Sequence, residues 1–282
     1  MQRIIVGIDG STPSRRALHW AADVAGRATL ELVGIMVLDS IQDGVGTVVD
    51  PALECSRQLE DWCRALPARC TRRKTVVAAG NPAAILLEEA AQGDSVLLVV
   101  ASRGVGEVAG LHTGTVVRHL AHRATIPLAI VGPTAMVTTS RFVVGHHPRT
   151  GNPAAFEFTA ELARRMAVPV TAVCTFDSRS GGDVDQDIEE WYRRSRAEVH
   201  AWSAPIEEAG VHVDCAFDRT RDPIIALEHV LVDNPGAVAV VGVCGHCAWD
   251  FSKVPLSLVR HSHHAVILVP DLADPHPFRS DR

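Results

Sequence analysis

Short runs of β-branched and aliphatic residues alternate with amphipathic stretches along the first half of the chain. RIIVGI (3–8), LELVGIMVL (30–38), KTVVAA (74–79), SVLLVVA (95–101) and PLAIV (127–131) read as strands. After Pro13, the residues Ala17, Leu18, Ala21, Ala22 and Ala25 form one apolar stripe at helical spacing. Leu86, Leu87, Ala90 and Ala91 do the same after Pro82. Thr12-Pro13, Asn81-Pro82, Asn152-Pro153 and Asp222-Pro223 each set a capping residue before a proline that opens a helix. Alternation of this kind predicts an α/β fold with a parallel sheet. The strands are apolar throughout because helices cover both faces of such a sheet.

The pattern then repeats. RIIVGIDGSTPSRRALHWAADVAG is answered by RFVVGHHPRTGNPAAFEFTAELAR from 141, so that Gly7 aligns with Gly145 at an offset of 138. AAGNPAAILLEEA aligns with DRTRDPIIALEHV, SVLLVVASRG with AVAVVGVCG, and TVVRHL with SLVRHS. The same order in both halves indicates duplication, with a junction in GPTAMVTTS (132–140). The expected domains are 1–135 and 139–282.

Composition narrows the class. The chain has 282 residues, which suits two domains, and is 47% hydrophobic and 21% charged, as globular proteins are. A net charge of −6 without a basic run argues against nucleic acid as a partner. No stretch reaches the roughly 18–20 apolar residues of a membrane span, and the N-terminus turns polar at Asp9, which points to the cytoplasm. Seven cysteines (55, 63, 70, 174, 215, 244, 247) in a chain of this length do not suggest a disulfide framework.

In open α/β sheets ligands sit beyond the carboxyl ends of the strands. Two loops of the first copy carry suitable groups there. IDGS follows the first strand and offers the Asp9 carboxylate beside the Gly10-Ser11 turn. ASRGVGEVAGLHTGT (101–115) follows the fourth strand, holds four glycines and leads into a helix at Thr115. Bare backbone N–H groups and a helix N-terminus suit an anion, most often phosphate. No Gly-Lys-Ser/Thr occurs, and the glycines follow the fourth strand rather than the first, which excludes the Walker and dinucleotide patterns.

GIDGS, GNP and the spaced SRG…GT loop together resemble the universal stress proteins, in their tandem two-domain form. The resemblance implies two Rossmann-like, adenine nucleotide alpha hydrolase-like domains, doubly wound, with five strands each in the order 3-2-1-4-5. ATP-binding members carry Gly-x2-Gly-x9-Gly-Ser/Thr, which here reads Ala101-Ser102-Arg103-Gly104, nine residues, then Gly114-Thr115. Ala101 departs from the family glycine, a modest change where its φ is negative. The resemblance places Gly7, Ile8 and Asp9 by the adenosine part and Val37 by the adenine. Ala101, Ser102, Arg103, Gly104, Val105, Gly106, Gly114 and Thr115 would surround the phosphates. ATP, with Mg²⁺ as an accompanying ion, is the expected cofactor. Glu107 would repel a triphosphate unless Mg²⁺ or an outward rotamer intervenes.

The second copy departs from the motif. Asp9 aligns with His147, Gly10-Ser11 with Pro148-Arg149, Gly104 with Gly245, and Gly114-Thr115 with Leu256-Ser257 behind Pro255. An empty or altered second site is expected. Cys244-Gly-His-Cys247 matches dithiol active sites in letters, but incidental loop thiols are the favoured reading, with zinc (Cys244, Cys247 and the histidines of 261–264) the weaker alternative. His112 reads as a solvated loop residue, and Trp62, Trp191 and Trp202 as packing residues. No catalytic set is visible, so a nucleotide-binding stress-response regulator with a protein partner is expected rather than an enzyme, slow hydrolysis aside. The alternative is an interaction module that binds no nucleotide. The last strand of each copy, IPLAIVG and HAVILVP, is apolar without a guarding charge and predicts edge pairing. In the resembling family that pairing makes a dimer, here expected inside one chain, with a homodimer as a further option.

Overall fold

The structure, a computed structural model, describes residues 2–38, 50–104, 114–146, 153–175, 184–218, 222–243, 258–259 and 263–270. It divides into two compact units, one of Met1–Thr138 with Val259–Leu268, the other of Thr139–Leu258 with Val269–Arg282.

The first unit runs β1 (Arg3–Ile8), α1 (Thr12–Ala28), β2 (Glu31–Leu38), α2 (Pro51–Arg64), β3 (Arg73–Ala79), α3 (Pro82–Ala90), β4 (Ser95–Ala101), α4 (Thr115–Arg123) and β5 (Leu128–Val131). The strands lie parallel in the order β3-β2-β1-β4-β5, as expected. From β1 the chain steps to β2 on one side and β4 lies on the other, so the order reverses between β1 and β4. A Cβ on Gly34 of β2 would meet Leu59 of α2 and Leu18 of α1, which cover one face. A Cβ on Gly7 of β1 would meet Leu86 Cδ1 of α3 at 2.7 Å, on the other face. Ile4, Ile5, Leu18, Trp20, Leu32, Leu97 and Leu98 are fully or almost fully buried between these layers.

The outer edge of β5 is taken by Ala265–Leu268 of β10 (Ala265–Pro270), antiparallel, with Val131 opposite Ala265 and Ala129 opposite Ile267. Ile130 and Ile267 are buried there. The second unit runs β6 (Arg141–His146), α5 (Pro153–Met166), β7 (Val170–Thr175), α6 (Val184–Glu208), β8 (Val213–Asp218), α7 (Pro223–Asp233) and β9 (Ala237–Val243). Its strands are parallel in the order β8-β7-β6-β9, matching the first four of the other copy.

Asn81 and Asp222 cap α3 and α7 as expected, accepting from Ala84 N at 3.0 Å and Ile224 N at 2.9 Å. Asn152 lies outside the described residues. For α1 the cap is Ser11, not Thr12: Ser11 Oγ accepts from Ser14 N at 3.2 Å, and Thr12 already belongs to the helix. Gly10, at φ +83°, turns the chain in the left-handed region, which glycine enters without strain, and so brings the helix start one residue earlier.

α1 is fastened to the connection after α2. Asp23, 1% exposed, takes ion pairs from Arg69 at 2.5 Å and Arg27 at 3.7 Å. Gly26 permits that approach, since a Cβ would lie 3.0 Å from the Arg69 backbone. A buried carboxylate costs stability unless it is paired in this way.

Candidate functional site

Asp9 and Gly104 meet. Asp9 leaves β1 and Gly104 leaves the neighbouring strand β4, so both stand at the carboxyl edge of the sheet where the strand order reverses. A Cβ built on Gly104 would overlap Asp9 Oδ2. The glycine is therefore required by the aspartate, and its φ is not left-handed.

The Asp9 side chain is exposed and oriented. Its Oδ1 accepts from Ser11 N at 3.0 Å and from Ser11 Oγ at 2.6 Å. Asp9 N donates to Ser14 Oγ at 3.4 Å, and Ser14 Oγ donates to Ser11 O at 2.9 Å. The carboxylate thus sits at the amino end of α1, where the helix dipole favours negative charge.

On the β4 side, Ala101 ends the strand opposite Val131, and Ser102 N donates to Val131 O at 2.9 Å. Gly114 N donates to Ser102 O at 3.4 Å, so the chain returns to the end of β4 where α4 begins. Four helices with described starts carry side-chain caps (Ser11, Asp50, Asn81, Asp222), whereas α4 begins at Gly114 without one. Its first-turn N–H groups have no intrahelical partners. Ser102 is 3% exposed, and its Oγ has no hydrogen-bond partner among the described residues. An orphaned hydroxyl, a bare helix start and bare glycine backbone fit an anionic oxygen.

The remaining expected residues divide. Gly7 accommodates Leu86 and Val100, and Ile8 is buried against Gly34, so any ligand contact at these positions falls to the backbone. Val37 stands near the end of β2 opposite Ala78, half-buried. Arg103 and Thr115 are exposed. Val105 and Gly106, with Glu107 and His112, lie outside the described residues.

A family model described as "Universal stress protein family" matches residues 1–132. That match spans just under half of the 282 residues, and over it the chain is similar to the universal stress proteins. Over 92% of this chain and 97% of its own length, a universal stress protein of Mycobacterium tuberculosis H37Rv is 25% identical. A second from the same strain is 28% identical over 186 residues, 65% of this chain and 68% of its own. Among solved structures, a universal stress protein of Archaeoglobus fulgidus DSM 4304 shares the fold at a TM-score of 0.67, with 14% identity, covering 95% of this chain and 98% of that one.

In the first unit the sequence did not single out Gln58. It lies on the half-buried stripe of α2 with Cys55 and Trp62, and its Oε1 comes within 3.6 Å of a Cβ on Gly10, beside Asp9. The available signal was a polar residue on an otherwise inward helix face. Trp62 lies under the Arg15 guanidinium at 5.7 Å. Burial, and then the Arg15 charge, lowers the pKa of His19 below its usual 6.5.

In the second unit the position matching Val37 at the same offset is Thr175, 8% exposed. Phe217 stacks with Tyr192 at 4.3 Å and meets Trp191 edge-on at 5.9 Å, while Trp202 packs on Phe156 at 4.5 Å. These tryptophans pack, as expected. His147, Pro148, Arg149, Cys244, Gly245, Cys247, Pro255, Leu256 and Ser257 lie outside the described residues. No cluster of three metal-ligating side chains occurs among the described residues, and no described helix is long and apolar enough to cross a membrane.

Proposed function

We propose that residues 1–132 form a universal stress protein domain that binds ATP, and that the protein is a cytoplasmic stress-response regulator whose contacts with a protein partner follow nucleotide occupancy. The observation that carries this reading is the junction of Asp9 with Gly104, beside a helix start with no side-chain cap. In this reading Asp9 takes the adenosine part with the backbone of Gly7 and Ile8, and Val37 flanks the adenine. Ala101, Ser102, Arg103, Gly104, Gly114 and Thr115 take the phosphates, completed by Val105 and Gly106. Mg²⁺ would supply the charge that offsets Glu107.

The rival reading, an interaction module with a disabled site, leans on Ala101 and on Glu107, of which Glu107 lies outside the described residues and Ala101 can be weighed. That residue sits in the β4 ladder opposite Val131 and its φ is not positive, so its methyl group is accommodated as in any strand. The reading is that of a binding protein rather than a catalyst. Mass spectrometry of the supernatant after heat denaturation tests it: an adenine nucleotide is expected. Its absence, together with no binding of added ATP, overturns the reading.

A further inference from the structure

Gln58 belongs to no motif, yet its position is specific. α2 presents Leu59 and Cys63 to the sheet, both buried, and Leu59 reaches β2 at Gly34. Gln58 precedes Leu59 by one residue, about 100° around the helix, which turns it toward α1. Trp62, one turn on, lies on that same side under Arg15 of α1. Next to Asp9, the Gln58 carbonyl rests 3.6 Å from where a Gly10 Cβ would be.

The amide has two donors and two acceptor lone pairs. None has a hydrogen-bond partner among the described residues, although the side chain is half-buried. Asp9, one residue from Gly10, is an acceptor only, and Ser11 already occupies its Oδ1. Two neighbouring hydroxyls placed between them can donate, one to the carboxylate and one to the Gln58 carbonyl. Of the parts of a nucleotide, the sugar carries such groups.

We infer that Gln58 is a binding residue for the ribose hydroxyls of the nucleotide and lets the site tell a ribonucleotide from its deoxy analogue. The inference rests on the ATP reading above and deepens it by assigning sugar specificity to a residue of α2.

The test measures ATP and 2′,3′-dideoxy-ATP binding to the full chain and to Gln58→Leu, which keeps the side-chain size and removes its hydrogen bonds. The parent should prefer ATP, and Gln58→Leu should bind ATP about three- to tenfold more weakly, the worth of a net neutral hydrogen bond. The preference for ATP over the dideoxy analogue should shrink by the same factor. Should Gln58→Leu lose its melting transition, the parent's own preference decides. A parent that binds both nucleotides equally overturns the inference while leaving ATP binding intact, as does a folded Gln58→Leu with parental affinity. A parent that binds neither overturns the ATP reading itself, and this inference with it.

Discussion

Replacing Gly104 with alanine isolates the contact on which the site is built. The new Cβ would fall well inside the 3.4 Å at which ordinary contact with Asp9 Oδ2 begins. Gly104 does not occupy the left-handed region, so the backbone tolerates alanine and the penalty is steric alone. Asp9 is held from behind by Ser11 N at 3.0 Å and Ser11 Oγ at 2.6 Å, and it can yield only by releasing them. Overpacking of this kind costs about 1–3 kcal/mol. Because Asp9 is exposed, the lower end applies, about 1 kcal/mol, or a fall in Tm of about 2–4 °C. A displaced carboxylate also loses a charged hydrogen bond to ligand, worth about 1.5–3 kcal/mol, so Kd for ATP should rise about 10- to 150-fold. The control is the double variant. In an Asp9→Ala background the opposing oxygen is gone, and Gly104→Ala should change stability by less than about 0.5 kcal/mol. Thermal melts and ATP titrations of the four proteins complete the cycle. Equal losses from Gly104→Ala in both backgrounds, or none in either, would refute the contact.

Three further outcomes follow from other parts of the molecule. The pKa of His19 is lowered in the fold, so the unfolded chain takes up its proton first as pH falls below 6.5 and stability is lost on that side. Melts between pH 7 and 5 should fall less steeply for His19→Gln, and an unchanged slope would contradict this. Burial pushes the Cys174 thiol up to about 12, so it should resist iodoacetamide at pH 8 in the native protein and react after unfolding, whereas the exposed Cys215 should be modified first; early labelling of Cys174 on peptide mapping would be the contrary result. Ile267 is fully buried opposite Ala129, and Ile267→Lys should forfeit at least the roughly 1.5–3 kcal/mol of its burial and lower Tm or cause aggregation; a parental melt would show that the β5–β10 ladder is not formed.

Much of the fold of the first unit lies in local pattern. The apolar run SVLLVVA becomes β4 with the expected ends, and GNP becomes a strand end, a left-handed glycine and a capped helix, because each step depends on neighbours within a few residues. The cap of α1 falls one residue before the Thr12 that the pattern suggests, because Ser11 and Thr12 are both good caps and the left-handed turn at Gly10 makes the choice. The pairing of Asp9 with Gly104 could be anticipated only as proximity between two loops. That their atoms touch follows from the lateral register of β1 and β4. Gln58 was invisible because its approach to Gly10 spans 48 positions and is set by the packing of Leu59 over Gly34, which no local period encodes. The burial of Ser102 has the same origin, in the pairing of β4 with β5.

Isothermal titration calorimetry of ATP into nucleotide-free protein tests the central claim most directly. The site built on the contact of Asp9 with Gly104 predicts a single ATP per chain, with binding lost in Asp9→Ala while the fold is kept. Absence of binding heat in the folded parent, or parental affinity in Asp9→Ala, would contradict it.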